Sequence, residues 1–167
     1  MRILALDPGP KETGYCVYDN GDVLVAGVMD NLEMLDYLRV RSSLHALGCR
    51  LCIEMIASYG MPVGREVFET CVWIGRFQQA WHSPSAVELV YRKDVKLHLC
   101  GTTKAKDPNV RQALLDLFPP TGGGKTPQIG TKKQPGPLYG VSSHAWPALG
   151  VAITAAAKLR ALKEKAK

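Results

Sequence analysis

The chain has 167 residues, 46% of them hydrophobic, and a formal net charge of +6, enough for a substantial core in one expected domain spanning residues 1–167. No apolar run reaches the ~18 residues of a membrane span, so nothing spans a membrane and no membrane partner is expected. Residues 1–91 carry seven Lys+Arg against eleven Asp+Glu, while residues 92–167 carry fourteen against four, and such asymmetry points to nucleic acid or an acidic surface as partner. The five cysteines (Cys16, Cys49, Cys52, Cys71, Cys100) are odd in number and lie mostly in apolar runs. They suit reduced core thiols of a cytoplasmic protein, and the N-terminus enters an acid-bearing strand rather than a secretory signal. Cys49-x-x-Cys52 has no second ligand pair at zinc-finger spacing.

In chain order, Ile3-Leu4-Ala5-Leu6 predicts a buried strand that delivers Asp7 at its end, where Pro8-Gly9-Pro10 turns the chain. Thr13–Tyr18 predicts an antiparallel partner, and Asp19-Asn20-Gly21-Asp22 a hairpin turn into a third strand at Val23–Gly27. An acid in a core strand is costly unless paired; a metal ion would pair it, and an Asp that only caps the turn is the plainer reading. Asp30-Asn31-Leu32-Glu33 predicts a capped helix start, with a stripe of Leu32, Leu35 and Leu38 running on to Leu44 and Leu47.

Cys49–Ile56 predicts a fourth strand with a second acid, Glu54, near its end. Tyr59 follows in a loop, where an aromatic can stack on an unpaired base or cover the next helix. In that helix Val67, Cys71, Ile74, Phe77 and Trp81 form one face; Gly75 predicts close packing against another helix, and Trp73, off the face, a second surface and a conceivable dimer seam. Ala86–Tyr91 predicts a fifth strand. Arg92, Lys93, Lys96, Lys104, Lys106 and Arg111 then cluster around a helix opened by Asp107 and Pro108, with Val110, Leu114 and Leu117 on its buried side. Basic residues at a helix start suit phosphate contacts.

Residues 119–141 predict a long, flexible basic loop carrying Lys125, Lys132 and Lys133 that orders on DNA. Its Gly122-Gly123-Gly124-Lys125-Thr126 is not a P-loop, because Pro119 stands where the first glycine belongs and no strand precedes it. The last element is a helix with His144 at its N-terminus, Pro147 in its first turn, and a basic tail.

Asp7 in Leu-Asp-Pro-Gly with Thr13-Gly14-Tyr15, then Ile53-Glu54, then Gly101-x-x-Lys104-Ala105-Lys106 before Asn109-Val110-Arg111, then His144 before Ala148–Ile153, together resemble the RuvC-type Holliday-junction resolvases, above all the compact phage form. The likeness runs in order over about residues 1–160. It implies an RNase H-like α/β fold whose mixed five-stranded sheet, three antiparallel N-terminal strands and then parallel ones, is flanked by helices. It also implies a homodimer that cleaves four-way DNA junctions with two Mg2+ ions per site, Mn2+ being compatible with a His ligand. Asp7 and Glu54 match the family's first two acids and His144 the position three before its last acid, giving Asp7, Glu54 and His144 as metal ligands. Lys106 matches a basic position near the active site, expected to neutralise the scissile phosphate, and Tyr59 falls where an aromatic could stack at the open centre. The last acid itself falls at Pro147, which offers no side-chain ligand. A nearby Asp substitutes, the other three suffice, or the enzyme is weakened. Arg92, Lys93, Lys104, Lys106, Arg111 and the three loop lysines are the expected DNA contacts. A non-catalytic junction-binding protein and a nuclease for RNA–DNA hybrids are the alternatives; an actin-like or sugar-kinase relative would need a second phosphate-binding turn in a longer chain.

Overall fold

The computed structural model describes residues 1–40 and 48–165. A sheet of order β3-β2-β1-β4-β5 forms its centre. Strands β1 (Arg2–Pro8), β2 (Glu12–Asp19) and β3 (Asp22–Asp30) make an antiparallel meander, and β4 (Arg50–Met55) and β5 (Glu88–Tyr91) extend it in parallel from β1. Helices α1 (Asn31–Val40) and α2 (Arg65–Ala80) cover one face; α3 (Arg92–Cys100), α4 (Asp107–Asp116) and α5 (Ala145–Lys165) build the other. This is the mixed RNase H-like sheet expected from the sequence. No helix among the described residues is long and apolar enough to cross a membrane.

Two cores sandwich the sheet, and strand periodicity sorts residues between them. Leu4, Leu6, Leu51 and Ile53 face α1 and α2, where Met34, Leu38, Ile74 and Phe77 are buried. Ile3, Ala5 and Cys52 face the other way, against the fully buried Ala148, Leu149 and Ala152 of α5. The cysteines are all free, as expected.

Helix α1 starts as predicted, the Asp30 carboxylate accepting from the Leu32 N–H at 2.8 Å. Its buried side is Met34, Leu35 and Leu38, with Leu32 exposed. The predicted continuation through Leu44 and Leu47 lies outside the described residues. Three other readings are corrected. A Cβ on Gly75 would meet open space, so that glycine serves no helix contact. Trp73 packs against the α2-side core and stacks on Phe77 at 5.6 Å; the outward row of α2 is Phe68 and Val72. In α4, Leu117 is exposed and Leu115 takes the inner side with Val110 and Leu114.

Helix α3 has no counterpart in the sequence reading. Only Val95 in Arg92–Cys100 is buried, too little for an apolar period to register. The segment after α4 is compact rather than loose. Gly122 and Gly123 N–H groups donate to the carbonyls of Pro127 and Gln134 at 2.8 and 2.9 Å, and Gly136 N–H to that of Ile129 at 2.9 Å. Gly130 (φ +77°) lies so close that a Cβ would stand 2.2 Å from the Gly136 nitrogen. Leu138, fully buried, pins the segment to the α5-side core, while Lys125, Lys132 and Lys133 point to solvent.

Candidate active site

Three adjacent parallel strands end side by side, and each brings a charged group to the same edge. Leu6 pairs with Ile53 and Glu54 with Val90, so Asp7 on β1, Glu54 on β4 and Arg92, just past β5, lie in a row. Asp7 shares the parity of Ile3 and Ala5, and Glu54 that of Cys52. Both carboxylates therefore leave the sheet toward the α5 side.

The turn after β1 is pinned from below. Thr13 Oγ1 donates to Asn31 Oδ1 at 2.5 Å, and Asn31 Nδ2 donates to the Gly9 carbonyl at 2.9 Å, with both side chains buried. Opposite Asp7 in the β1–β2 ladder is Gly14. A Cβ there would stand 2.1 Å from the His144 carbonyl oxygen, so only glycine lets the approach to α5 cross β2 at this point. That crossing sets His144 Nδ1 3.4 Å from Asp7 Oδ2 and Nε2 4.0 Å from Glu12 Oε1.

Arg92 closes the other side. Its Nη2 donates to Asp107 Oδ1 at 2.6 Å, while Nη1 faces Glu54 Oε2 at 3.9 Å. Both facing atoms are buried and neither has a hydrogen-bond partner. Burial pushes the Glu54 carboxyl up to about 7, with the Asp7 charge adding to the rise and Arg92 opposing it. Burial also lifts Asp7 above its usual range, against the opposing His144 charge and hydrogen bond. Asp107 moves the other way, held down by its hydrogen bond to Arg92. Two carboxylates crowded and partly dried at one edge make this edge the candidate functional site.

These residues fit a hard divalent cation. Asp7 and Glu54 are oxygen donors on one face, and a buried Glu54 oxygen lacks a partner. Mg2+ is commonly held by one or two carboxylates and keeps several waters. Among the described residues, no group of three or more His, Cys, Asp and Glu side chains is gathered as a metal cluster. As placed, His144 is the hydrogen-bond partner of Asp7. Pro147, half-buried in the first turn of α5, lines a cavity with His144, Arg92 and Asp107.

The remaining expected residues spread around this edge. Tyr59 is exposed in a left-handed turn (φ +48°), and Lys93 Nζ lies 5.7 Å from its ring and 5.8 Å from that of Tyr91. The Arg111 guanidinium lies over the Trp146 ring at 4.7 Å. Lys104 is exposed before α4, and Lys106 is its exposed N-cap, with its N–H donating to Asn109 Oδ1 at 3.1 Å. Arg92 is the cation in an ion pair with Glu54. Asp107 and Glu66 have no site role in the sequence reading, and Lys96 stands there only as one of a basic cluster. Asp107 reads as a helix-start residue, and its tie to Arg92 spans fifteen positions. Lys96 lowers the pKa of both Glu54 and Asp107 by its charge. Glu66, at the start of α2, lines a cavity of about 300 Å3 with Asp7 and Glu54.

No protein-family model and no curated protein sequence matches the chain. Solved structures do match. Thermus thermophilus RuvC is 20% identical over 96% of each chain, with a TM-score of 0.65. T. thermophilus RuvC in complex with Holliday junction substrate is 18% identical over 92% of each chain, with a TM-score of 0.61. With its sheet order, flanking helices and near-complete overlap, the chain has the RuvC-type fold.

Proposed function

We propose that the chain is a structure-specific endonuclease that cuts four-way and related branched DNA by metal-dependent phosphodiester hydrolysis. The observation that carries this reading is the Asp7–Glu54 pair, crowded and partly dried at the ends of adjacent parallel strands and flanked by the basic half of the chain. The solved complex of T. thermophilus RuvC with Holliday junction substrate supports branched DNA as the partner.

Asp7 and Glu54 would hold a divalent cation, which would supply Lewis-acid stabilisation of the phosphate and a more acidic water. The donor set supports one such ion; with Pro147 in the last acid position, the two-ion expectation narrows to that. Asp7 orients His144 through the Nδ1 contact, leaving Nε2 to take a proton from the attacking water. Arg92 steadies ionised Glu54 and presents its guanidinium to the non-bridging phosphate oxygens. Lys93 with Tyr59, Lys104, Lys106, Arg111 and the loop lysines hold the flanking strands. A homodimer, whose exposed Phe68 and Val72 lie one turn apart on α2, would place two sites for symmetric nicking.

The second reading is a junction-binding protein without turnover, favoured by Pro147 and by Arg92 standing against Glu54. Cleavage of a synthetic four-way junction in Mg2+ and Mn2+, with duplex, fork and RNA–DNA hybrid controls, separates the two. Symmetric metal-dependent nicking, abolished in Asp7→Asn and Glu54→Gln, is expected. Tight junction binding with no cutting in either metal would leave the binding protein, and preferential cutting of the hybrid would move the enzyme to another substrate.

A further inference from the structure

Beside the acid pair lies a cavity of about 590 Å3 between α4 and the start of α5. Its volume is within the ~300–1,000 Å3 of ordinary ligand pockets. Val110, Leu114, Trp146 and Pro147 line its apolar part, and Arg92, Arg111 and His144 contribute cationic or titratable groups. The proposed chemistry uses Arg92 and His144, with Arg111 among the residues that hold DNA; it leaves the apolar part and the Trp146 ring beneath Arg111 without a role.

We propose that this cavity takes one unstacked nucleotide from the branch point of bound DNA, the base against Trp146 and Arg111 and its phosphate beside Arg92. The proposal rests on the nuclease reading and adds a base-binding site to it. Four observations select that occupant. First, the cavity pairs apolar walls with guanidinium groups, as a flat base attached to an anionic phosphate requires. Second, an indole with an Arg guanidinium 4.7 Å over its ring offers planar groups on which bases stack without hydrogen-bond readout. Third, the carboxylate that also lines the cavity, Asp107, is already neutralised by Arg92 at 2.6 Å. Fourth, His144 and Arg92 belong both to this cavity and to the acid edge, so a base seated here carries its phosphate toward Asp7.

The helix itself offers the phosphate little. Ala145 and Trp146 N–H groups donate to the Ser142 and Ser143 carbonyls at 2.9 and 3.2 Å, Ala148 N–H to that of His144 at 3.4 Å, and Pro147 has none. Side chains must hold the phosphate.

The test is near-ultraviolet crosslinking of the full-length protein to four-way junctions carrying 5-iododeoxyuridine at each branch-point position, in EDTA to prevent cutting. Crosslinked residues are mapped by mass spectrometry, and junction occupancy is followed by gel shift. The expected adduct is on Trp146, from the junction and not from a duplex of the same sequence. Arg111 is exposed and its removal leaves the core intact, so Arg111→Ala should fold and reduce that adduct several-fold at equal occupancy. Trp146→Ala should abolish it. Adducts confined to other residues while the junction is bound would overturn the pocket but spare the nuclease reading. Failure to bind junctions at all would overturn both. Equal labelling of Trp146 by the duplex, or by free 5-iododeoxyuridine monophosphate at the same concentration, would also overturn the branch-point assignment.

Discussion

At the scale of single residues, burial raises both acids, and for Glu54 the rise sets a pH dependence of the fold. Glu54 has a folded-state value of about 7 against 4.5 for a free side chain. A carboxyl raised in this way favours folding while protonated, so its stabilisation is complete below about pH 4.5 and is lost as the pH rises toward 7. Thermal melts in EDTA should therefore show a Tm that falls between those values and levels off above them. Glu54→Gln should flatten the curve; an unchanged slope would mean that the carboxyl is not buried as described. Gly14 acts through what it lacks. Gly14→Ala forces the backbone at His144 away from β2, at about 1–3 kcal/mol of stability and a loss in cleavage rate on the order of 100-fold. Full activity in that variant would sever His144 from the reaction.

At the scale of elements, the apolar runs of β1 and β4 made both acids legible, because a hydrophobic strand ending in a carboxylate is conspicuous. The start of α5 was equally clear, since Pro147 is acceptable only in a first turn. Helix α3 was not legible, its single buried residue leaving no periodicity. Asp107 and Glu66 were read as nothing more than helix-start residues or passed over, because their places in the site come from tertiary contact. Trp73 was misplaced because an aromatic off the main stripe can still reach the core by stacking on a neighbour. The segment after α4 looked loose from its Gly and Pro content, yet those glycines permit its close backbone approaches. Leu138→Ala should cost about 2–5 kcal/mol, measured by urea unfolding; a smaller loss would mean that the segment is not anchored there. Replacing Lys125, Lys132 and Lys133 together with Ala should weaken junction binding and lower the slope of log affinity against log salt by about 2–3. An unaltered slope would remove the segment from the DNA interface.

At the scale of the whole molecule, the acid edge, the basic half and the exposed α2 row are what the proposed symmetric nuclease would need in each protomer. Phe68→Glu should leave the fold intact, since Phe68 is largely exposed, and shift a dimer to monomer in sedimentation velocity. Wild-type protein that sediments as a monomer at micromolar concentration would remove the dimer. The parity of the strands has a wider consequence. The same two-residue alternation that divides Leu4 and Leu6 from Ile3 and Ala5 also decides which way Asp7 points, and β4 repeats the rule for Glu54. Core and chemistry are thus in phase. One residue inserted early in β1 or β4 would send that strand's leucines to the wrong layer and its acid to the opposite face in a single step. Such a chain would lose stability and catalysis together, so changes in length that preserve activity are confined to the segments beyond the strand ends.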